Sequence, residues 1–541
     1  MSGQLELLAN NPIFNGDIDV TDEARQSVSR DASIFEVVPK GVIAPRDVDD
    51  IKAAVLWANA QVKAGHSVTF AARVGGTCMS GGSLTSGYIL DLKRYLNHVG
   101  VVDLEARTVR TQSGALHIDV ETPVKEAGLL FAPYTSSRDI CGIGGMLGNN
   151  ASGEQSIKYG ATSSNVASLK AVLSNGEEYE FAPLSRTQLA KKLKQPDFEG
   201  ELYRRVTKLL EENKHLIATS HPRTVKNAAG YALWELWDAH EQTFNLGRLF
   251  IGAQGTLGII TEAELKLVKP GKYQRMIVTP ISDLSSLTEV VTTTLRYEPI
   301  TSETFDHFTY EFAEKYYPED AERAHVARGK HMVILSVFEA EDQYNADIIA
   351  GQAKEMLEKL GHETFWIDDQ ATIESFLTIR RKSFKMLLDH PLPNTRAEAF
   401  LEDTIVPLEN YGAFLGELEK ILADYKLTYT YAGHIGSGSI RLVPLADMET
   451  EGAAELIMQL ETRVNDLVIS YGGSISVDHN DGIIRTPFLE KQFGAQMVAL
   501  FAEVKNIFDP NNIFNAGKKV PAGGVGTYEY ATEHIIRENV N

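Results

Sequence analysis

Residues 431–444 read YAGHIGSGSIRLVP and place an imidazole, His434, at the mouth of a Gly/Ser loop, with Arg441 seven positions later. Imidazole can act as a base or a metal ligand near neutral pH, whereas arginine keeps its proton and only donates. A surface turn carrying an incidental histidine would look the same locally. His479 stands in VDHNDG between Asp478 on one side and Asn480 and Asp481 on the other, again a pattern shared by turns and proton-transfer sites. Arg380 and Arg381 adjoin in FLTIRRKSF, where either fits a solvated helix charge.

Three glycine-rich stretches carry a second kind of chemistry. RVGGTCMSGGS (residues 73–83) follows the apolar run VTFAAR directly. Its glycines can turn sharply and aim several backbone N–H groups at one anion, with Thr77, Ser80 and Ser83 to assist. A diphosphate is the natural ligand for such a loop, and a mobile surface loop is the alternative. No Gly-Lys-Ser/Thr follows, so it is not a Walker A loop. CGIGGMLGNNASG (141–153) has the wrong spacing for the dinucleotide fingerprint and lacks a leading buried strand. The third stretch is IGAQGTLGIITEAELKL, ending near residue 267.

These loops need elements to hold them. FEVVP (35–39) reads as a short strand, and DVDDIKAAVLWANAQVKAG (47–65) as an amphipathic helix stopped by Gly65. VTFAAR and YILDL read as strands flanking the first glycine loop. VGVVDLEARTVRTQ reads as strand, turn, strand, and HIDVETPVKEAGLL as a helix. The chain is mixed α/β with many short elements and lacks the regular strand–helix alternation of a doubly wound parallel sheet. Lys269-Pro270-Gly271 marks a boundary, beyond which longer helices such as AEDQYNADIIAGQAKEMLEKLG alternate with strands such as HMVILSVFE. The tail NIFDPNNIFNAGKKV is rich in turn residues and is expected to lie across a site.

The 541 residues exceed what one hydrophobic core holds, so several domains are expected. A net charge of −21 disfavours a nucleic-acid partner. Cys78 and Cys141 are the two cysteines, too few for a disulfide framework, a Cys-rich zinc site or an iron–sulfur cluster. No apolar run approaches a membrane span, and the N-terminus lacks a signal core. A cytoplasmic protein is expected, with peripheral membrane association left open.

The order of the glycine stretches, followed by FDPNNIFNAGK, resembles the vanillyl-alcohol oxidase / p-cresol methylhydroxylase (PCMH-type) superfamily of FAD-linked oxidoreductases. EDTIVP (402–407), HIGSGSIRL and GGSISVDHNDGIIRTPFLE (472–490) resemble its D-lactate, glycolate and D-2-hydroxyglutarate dehydrogenase group. The resemblance spans roughly residues 35 to 520. It implies an α+β fold in which a two-subdomain FAD-binding domain (35–270) follows an N-terminal extension (1–34). A substrate or cap domain with an antiparallel sheet backed by helices (271–505) and a returning C-terminal segment (506–541) would complete it. Gly75, Gly76, Thr77, Ser80 and Gly81 would grip the FAD pyrophosphate. Gly144, Gly145, Asn149, Ser152 and Gly153 would lie along the cofactor, Ile259 and Ile260 near its adenine half, and Asn515 near the ring system. The first loop has no histidine for a covalent flavin link, so noncovalent FAD is expected, with Cys78 a buried thiol rather than a thioether.

The same resemblance implies oxidation of a 2-hydroxy carboxylate to a 2-oxo acid by hydride transfer to flavin N5. His479 would be the base and Arg380 the carboxylate clamp, with Arg381 as the alternative clamp; Arg441 and Arg485 would complete the catalytic set. His434 falls on the first ligand of the group's HxGDGNxH-type metal motif and Asp478 on its carboxylate ligand, but Arg441 stands at the second histidine, and Ser437 and Ser439 replace its Asp and Asn. Two expectations stand: a divalent ion such as zinc on His434 and Asp478, or an arginine in the ion's place. Electrons would pass to a quinone, an electron-transfer protein, a separate iron–sulfur subunit or oxygen, and homodimerisation is left open. The alternatives are an alcohol or sugar oxidase on the same scaffold and a catalytically silent flavoprotein subunit.

Overall fold

The helix expected over residues 47–65 runs Val48–Lys63, with the Asp47 side chain accepting the Asp50 N–H at its N-cap. Its buried stripe of Ile51, Ala54, Val55 and Ala58, at helical spacing, packs in one core with Phe70 and Tyr88. The structure is a computed structural model that describes residues 3–282, 284–389 and 396–537. The outermost residues of the expected N-terminal extension and C-terminal segment lie outside these.

The helix Val48–Lys63 sits on a four-stranded sheet in the order Asp17–Asp19, Gly41–Ala44, Tyr88–Asp91, Phe70–Arg73. The last three strands are parallel. FEVVP is not a strand: residues 35 and 36 make only isolated bridges, and the ladder begins at Gly41. Likewise only Thr108–Gln112 of VGVVDLEARTVRTQ is a strand, Val99 and Asp103 contributing single bridges. Thr108–Gln112 belongs to an antiparallel sheet in the order Thr108–Gln112, Ile259–Lys266, Val166–Val172, Glu178–Phe181. The glycine loops lie where these two sheets face one another.

Beyond residue 271 an eight-stranded sheet forms among the described residues. In its strand Met332–Ala340, Ile334 and Phe338 join one core while Val333, Leu335 and Val337 join another. Successive side chains point to opposite faces, so a continuous apolar run means helices cover both. Gln343–Lys359 backs one face, and Gln370–Leu388 the other.

Two features of this sheet aim the polar residues. Strands Thr428–Gly433 and Ser439–Ala446 form a hairpin that pairs Ala432 with Arg441, so both project from one face. The Gly/Ser run is the hairpin turn. Gly438 has φ +78°, and a Cβ there would also sit 2.3 Å from the Val406 carbonyl. On helix Gln370–Leu388 the buried stripe reads Ile373, Phe376, Leu377, Arg380, which drives Arg380 inward with its apolar neighbours. Thr404–Ile405 pairs with Ser439 and Ile440 and bridges to Ser474, bringing EDTIVP beside GGSISVDH.

After helix Ala495–Phe508 the tail runs across the first sheet. Phe514 bridges Phe70 in parallel, and the Asn515 amide donates to the carbonyls of Gly82 and Gln254 at 2.8 and 2.7 Å. Among the described residues, no helix is long and apolar enough to cross a membrane.

Candidate functional site

The first glycine loop, the segment 142–149 and the segment 254–260 line a partly open cavity. Gly75, Gly76, Thr77 and Cys78 line it, and their N–H groups have no acceptor among the described residues. A run of unpaired donors on a glycine loop calls for an oxygen-rich ligand. Arg73 lines the same wall and has no carboxylate in ion-pair range among the described residues. Its Nη2 donates instead to the Arg30 carbonyl at 2.7 Å. Gly145 is exposed to the cavity, and a Cβ there would meet nothing within 4 Å. Packing alone does not demand a glycine at that point, whereas a flat ligand against the backbone does. These residues therefore fit FAD: a diphosphate on the loop and a planar ring system along residues 144–149.

Several residues expected along the cofactor serve as its frame instead. The Ser80 hydroxyl is buried and donates to the His479 carbonyl at 2.8 Å. Gly81, at φ +77°, packs against Ile483 and Phe35. Ile259 is fully buried in the core under the first sheet, because alternation along its strand leaves only Ile260 facing the cavity. Asn515 is buried and ties the Gly82 and Gln254 segments together. Cys78 does line the cavity, its buried thiol 3.3 Å from the Ser80 hydroxyl, and burial pushes its pKa up.

Thr77, Gly145 and Asn149 also line a second cavity of about 1090 Å³, so the two are continuous. Tyr134, Met79, Ile140 and Phe384 form its apolar wall, and Ser152 and Gly153 lie on its rim. The sequence-predicted Arg380, Arg441, His434, Asp478 and His479 converge on its polar wall. Arg485 does not reach it.

His479 is held from behind. Its Nδ1 contacts Glu402, whose other oxygen accepts from Arg485 Nη2 at 2.8 Å. Burial alone would raise the Glu402 pKa, but the charges of His479 and Arg485 outweigh it and bring it down to about 2. Asp403 accepts the N–H groups of Val477, Asp478 and His479 at 2.8–3.0 Å, which fixes the loop that carries the imidazole. With Nδ1 engaged, Nε2 is the nitrogen left for chemistry. Arg485 is thus a positioning residue, buried and paired with Glu402 rather than facing the cavity.

Arg380 lies 2.8 Å from Glu303, an ionic contact in which neither its Nε–H nor its Nη2–H is aimed at an acceptor. Burial pulls its pKa down against the pull of Glu303. A buried cation with unused donors on a cavity wall is poised for an anion. The neighbouring Arg381 is already satisfied by both oxygens of Glu154, at 2.8 and 2.6 Å.

On the remaining wall His434 donates through Nδ1 to Glu303 at 2.6 Å, and its Nε2 faces Arg441 Nη2 at 3.4 Å and Asp478 Oδ2 at 3.7 Å. Burial lowers the His434 pKa, with Glu303 opposing. Asp478 is contacted by Ser152 and Lys226. Burial would raise its pKa, yet Lys226, His434, Arg441 and Ser152 together hold it well below the usual carboxylate range.

Sequence reasoning had given no role to Glu303, Lys226, Glu402, Asp403 or Gln254. Glu303 carried a signal, since it is the single acid inside the otherwise inward-facing strand Thr301–Asp306 before its N-capping Asp306. Lys226, in an irregular loop, carried none.

Residues 39–182 match the FAD binding domain family and residues 271–519 the family of FAD linked oxidases, C-terminal domain. The D-2-hydroxyglutarate dehydrogenase of Pseudomonas putida is 30% identical over 527 residues, covering 95% of this chain and 51% of that protein. The chain thus spans about half the length of this relative. Glycolate oxidase subunit GlcD of Bacillus subtilis is 26% identical, covering 92% of this chain and 93% of its own. Among solved structures, p-cresol methylhydroxylase with substrate bound superposes with a TM-score of 0.69 over 96% of this chain and 98% of its own, at 13% identity, a likeness of fold. With the unpaired donors of the glycine cradle and these two family matches, the chain carries an FAD binding domain joined to the C-terminal domain of FAD linked oxidases, on the fold of p-cresol methylhydroxylase.

Proposed function

We propose that this chain oxidises a 2-hydroxy carboxylate to the corresponding 2-oxo acid. The observation that carries the proposal is one cavity wall holding both an anion clamp with free donors, Arg380, and a histidine fixed through its far nitrogen, His479. An alcohol or sugar without a carboxylate would leave Arg380 with Glu303 as its one anionic partner among the described residues, its guanidinium only partly engaged. Its relatives, a D-2-hydroxyglutarate dehydrogenase and a glycolate oxidase subunit, support the same substrate class.

The substrate carboxylate docks against the Arg380 guanidinium, and the 2-hydroxyl is directed at His479 Nε2. The N–H groups of residues 75–78 and the backbone at Gly145 would hold FAD, which when bound would supply a two-electron acceptor for the Cα hydrogen and its bonding pair. His479 takes the hydroxyl proton, so the carbon–oxygen bond becomes a carbonyl and the product leaves as the 2-oxo acid. The charge gained by the imidazole is balanced by Glu402, which Arg485 keeps ionised. The Tyr134, Met79 and Phe384 side chains exclude water from the reacting carbon. Repeated turnover would require an external electron acceptor such as a quinone, an electron-transfer protein, a separate iron–sulfur subunit or oxygen.

Beyond Arg380 and Arg441 an outer chamber of about 990 Å³ continues past Ser136 and Ser137 to Lys382. Lys382 is half-buried with no ionic partner among the described residues, which favours a substrate bearing a second carboxylate, as in 2-hydroxyglutarate. The test is anaerobic mixing of the yellow protein with D- and L-2-hydroxy acids, both mono- and dicarboxylic, while flavin absorbance is followed. Bleaching by a 2-hydroxy acid is expected, fastest with a dicarboxylate. A flavin that dithionite reduces and no hydroxy acid bleaches would refute the proposal.

A further inference from the structure

The metal motif that this chain resembles requires three open ligands, and the wall around His434 does not provide them. His434 spends Nδ1 on Glu303, so Nε2 is its single lone pair. That lone pair faces a guanidinium N–H, Arg441 Nη2, at 3.4 Å. Asp478 has one oxygen occupied by Ser152 and Lys226, and its other, Oδ2, lies 3.7 Å from both His434 and Arg441, close enough for charge attraction and without a hydrogen bond to either. Ser437 donates its hydroxyl to the His434 carbonyl. Ser439 is buried in the hairpin strand. Two protein donors fall short of the three of a catalytic zinc site, and a divalent ion would lie against two cations, Arg441 and Lys226. The one cluster of three metal-type ligands among the described residues, Glu402, Asp403 and His479, has its oxygens spent on Arg485, the imidazole and backbone N–H groups.

We infer that this site works without a divalent ion and that the Arg441 guanidinium stands in its place, presenting fixed positive charge to the substrate's 2-oxygen as the hydroxyl proton leaves. The geometry supports the exchange on both sides. Arg441 reaches the lone pair and the carboxylate oxygen that would otherwise ligate. It is also a fifth exposed, its side chain retaining 20% of its accessible surface on a wall shared by the inner and outer chambers. Glu303 anchors its two neighbours, His434 and Arg380, and Asp478 attracts Arg441 itself from 3.7 Å, so the charge is held in place before substrate arrives. Arg380 and Arg441 then divide the work, one on the carboxylate and one on the developing alkoxide. The inference rests on the 2-hydroxy-acid proposal for the identity of that oxygen, whereas the absence of an ion stands without it.

The test separates the two. FAD-loaded protein is incubated with Zn²⁺, Mn²⁺ or Co²⁺, desalted, and its metal content measured per chain, alongside an Arg441→His variant. The wild type is expected to retain less than about 0.1 ion per chain, and Arg441→His to gain close to one, visible for Co²⁺ as ligand-field absorption. One tightly held ion in the wild type would overturn the inference, as would a variant that gains none, because Arg441 would then not be what displaces it. On the catalytic side, flavin reduction should be unaffected by EDTA. Arg441→Met should lose about 100-fold in reduction rate with FAD content unchanged, and Arg441→Lys should recover part of it. Reduction by the wild type that collapses in EDTA and returns with added metal would refute the replacement. A chain that no hydroxy acid reduces would fail the functional proposal and leave the metal measurements to decide this one.

Discussion

Replacing Glu402 by glutamine tests the core of the site, because it keeps the shape and removes one buried charge. In the wild type Glu402 lies between His479 and Arg485, and its pKa falls from an ordinary 4.5 to about 2. A depression of about 2.5 units corresponds to about 3 kcal/mol of stability at neutral pH. Because the folded-state pKa is lowered, that contribution is present above about pH 4.5 and lost as pH falls through about 2. Glu402→Gln should therefore cost about 3 kcal/mol in denaturant unfolding at pH 7, with up to about 5 if Arg485 is left unpaired. The difference from wild type should shrink on acidification across that window. The amide still accepts from the imidazole but cannot balance the charge that forms there, so the flavin reduction rate should fall about 100- to 1000-fold. Substrate affinity should change little, since Arg380 is paired with Glu303 rather than Glu402. Stopped-flow reduction at several substrate concentrations separates rate from affinity. A variant as stable and as fast as wild type would refute the view that Glu402 holds and balances His479.

Arg380→Met removes the free donors of the clamp and should lower kcat/KM for hydroxy acids by about 10- to 100-fold, with FAD content unaltered; an unchanged value would transfer the clamp to another residue. Gly145→Leu should yield folded protein with little bound flavin, because the new side chain enters the space beside the cradle where a Cβ now meets nothing within 4 Å; a fully yellow variant would place the ring elsewhere. Burial raises the Glu461 pKa to about 8, so its carboxyl is protonated at neutral pH and opposes folding increasingly as pH rises from about 4.5 to 8. Glu461→Gln should accordingly stabilise the protein, by an amount near zero at pH 4.5 and about 3 kcal/mol at pH 7, and equal melting curves across that range would contradict the assignment.

Local physics made much of the scaffold legible. The stripe of Ile51, Ala54, Val55 and Ala58 specifies a helix, and MVILSVF, apolar throughout but for Ser336, specifies a strand covered on both faces. FEVVP misled because β-branched residues fit any half-buried extended segment, whereas pairing with Tyr88–Asp91 selected GVIA. The glycine loops were legible as an anion cradle because unpaired N–H groups and glycine freedom are properties of the loop itself. Which of its residues face the ligand was not. Ile259 and Ile260 are equally apolar, and only the register of the sheet decides that Ile260 faces the cavity.

By itself the sequence determined the glycine cradle and put Arg441 where the resembled metal motif has a histidine; it left Arg380 equally open to a solvated helix charge, and His479 near the cofactor was what the resemblance implied. Only the tertiary structure decided which partners each of these meets. Glu402 meets His479 across 77 residues, Glu303 meets His434 across 131, and Ser152 meets Asp478 across 326. Sequence patterns report the 3.6- and 2-residue periods of local structure. The charge and donor state of a buried group depend instead on which partners the fold carries to it through space, where desolvation makes each pairing decisive.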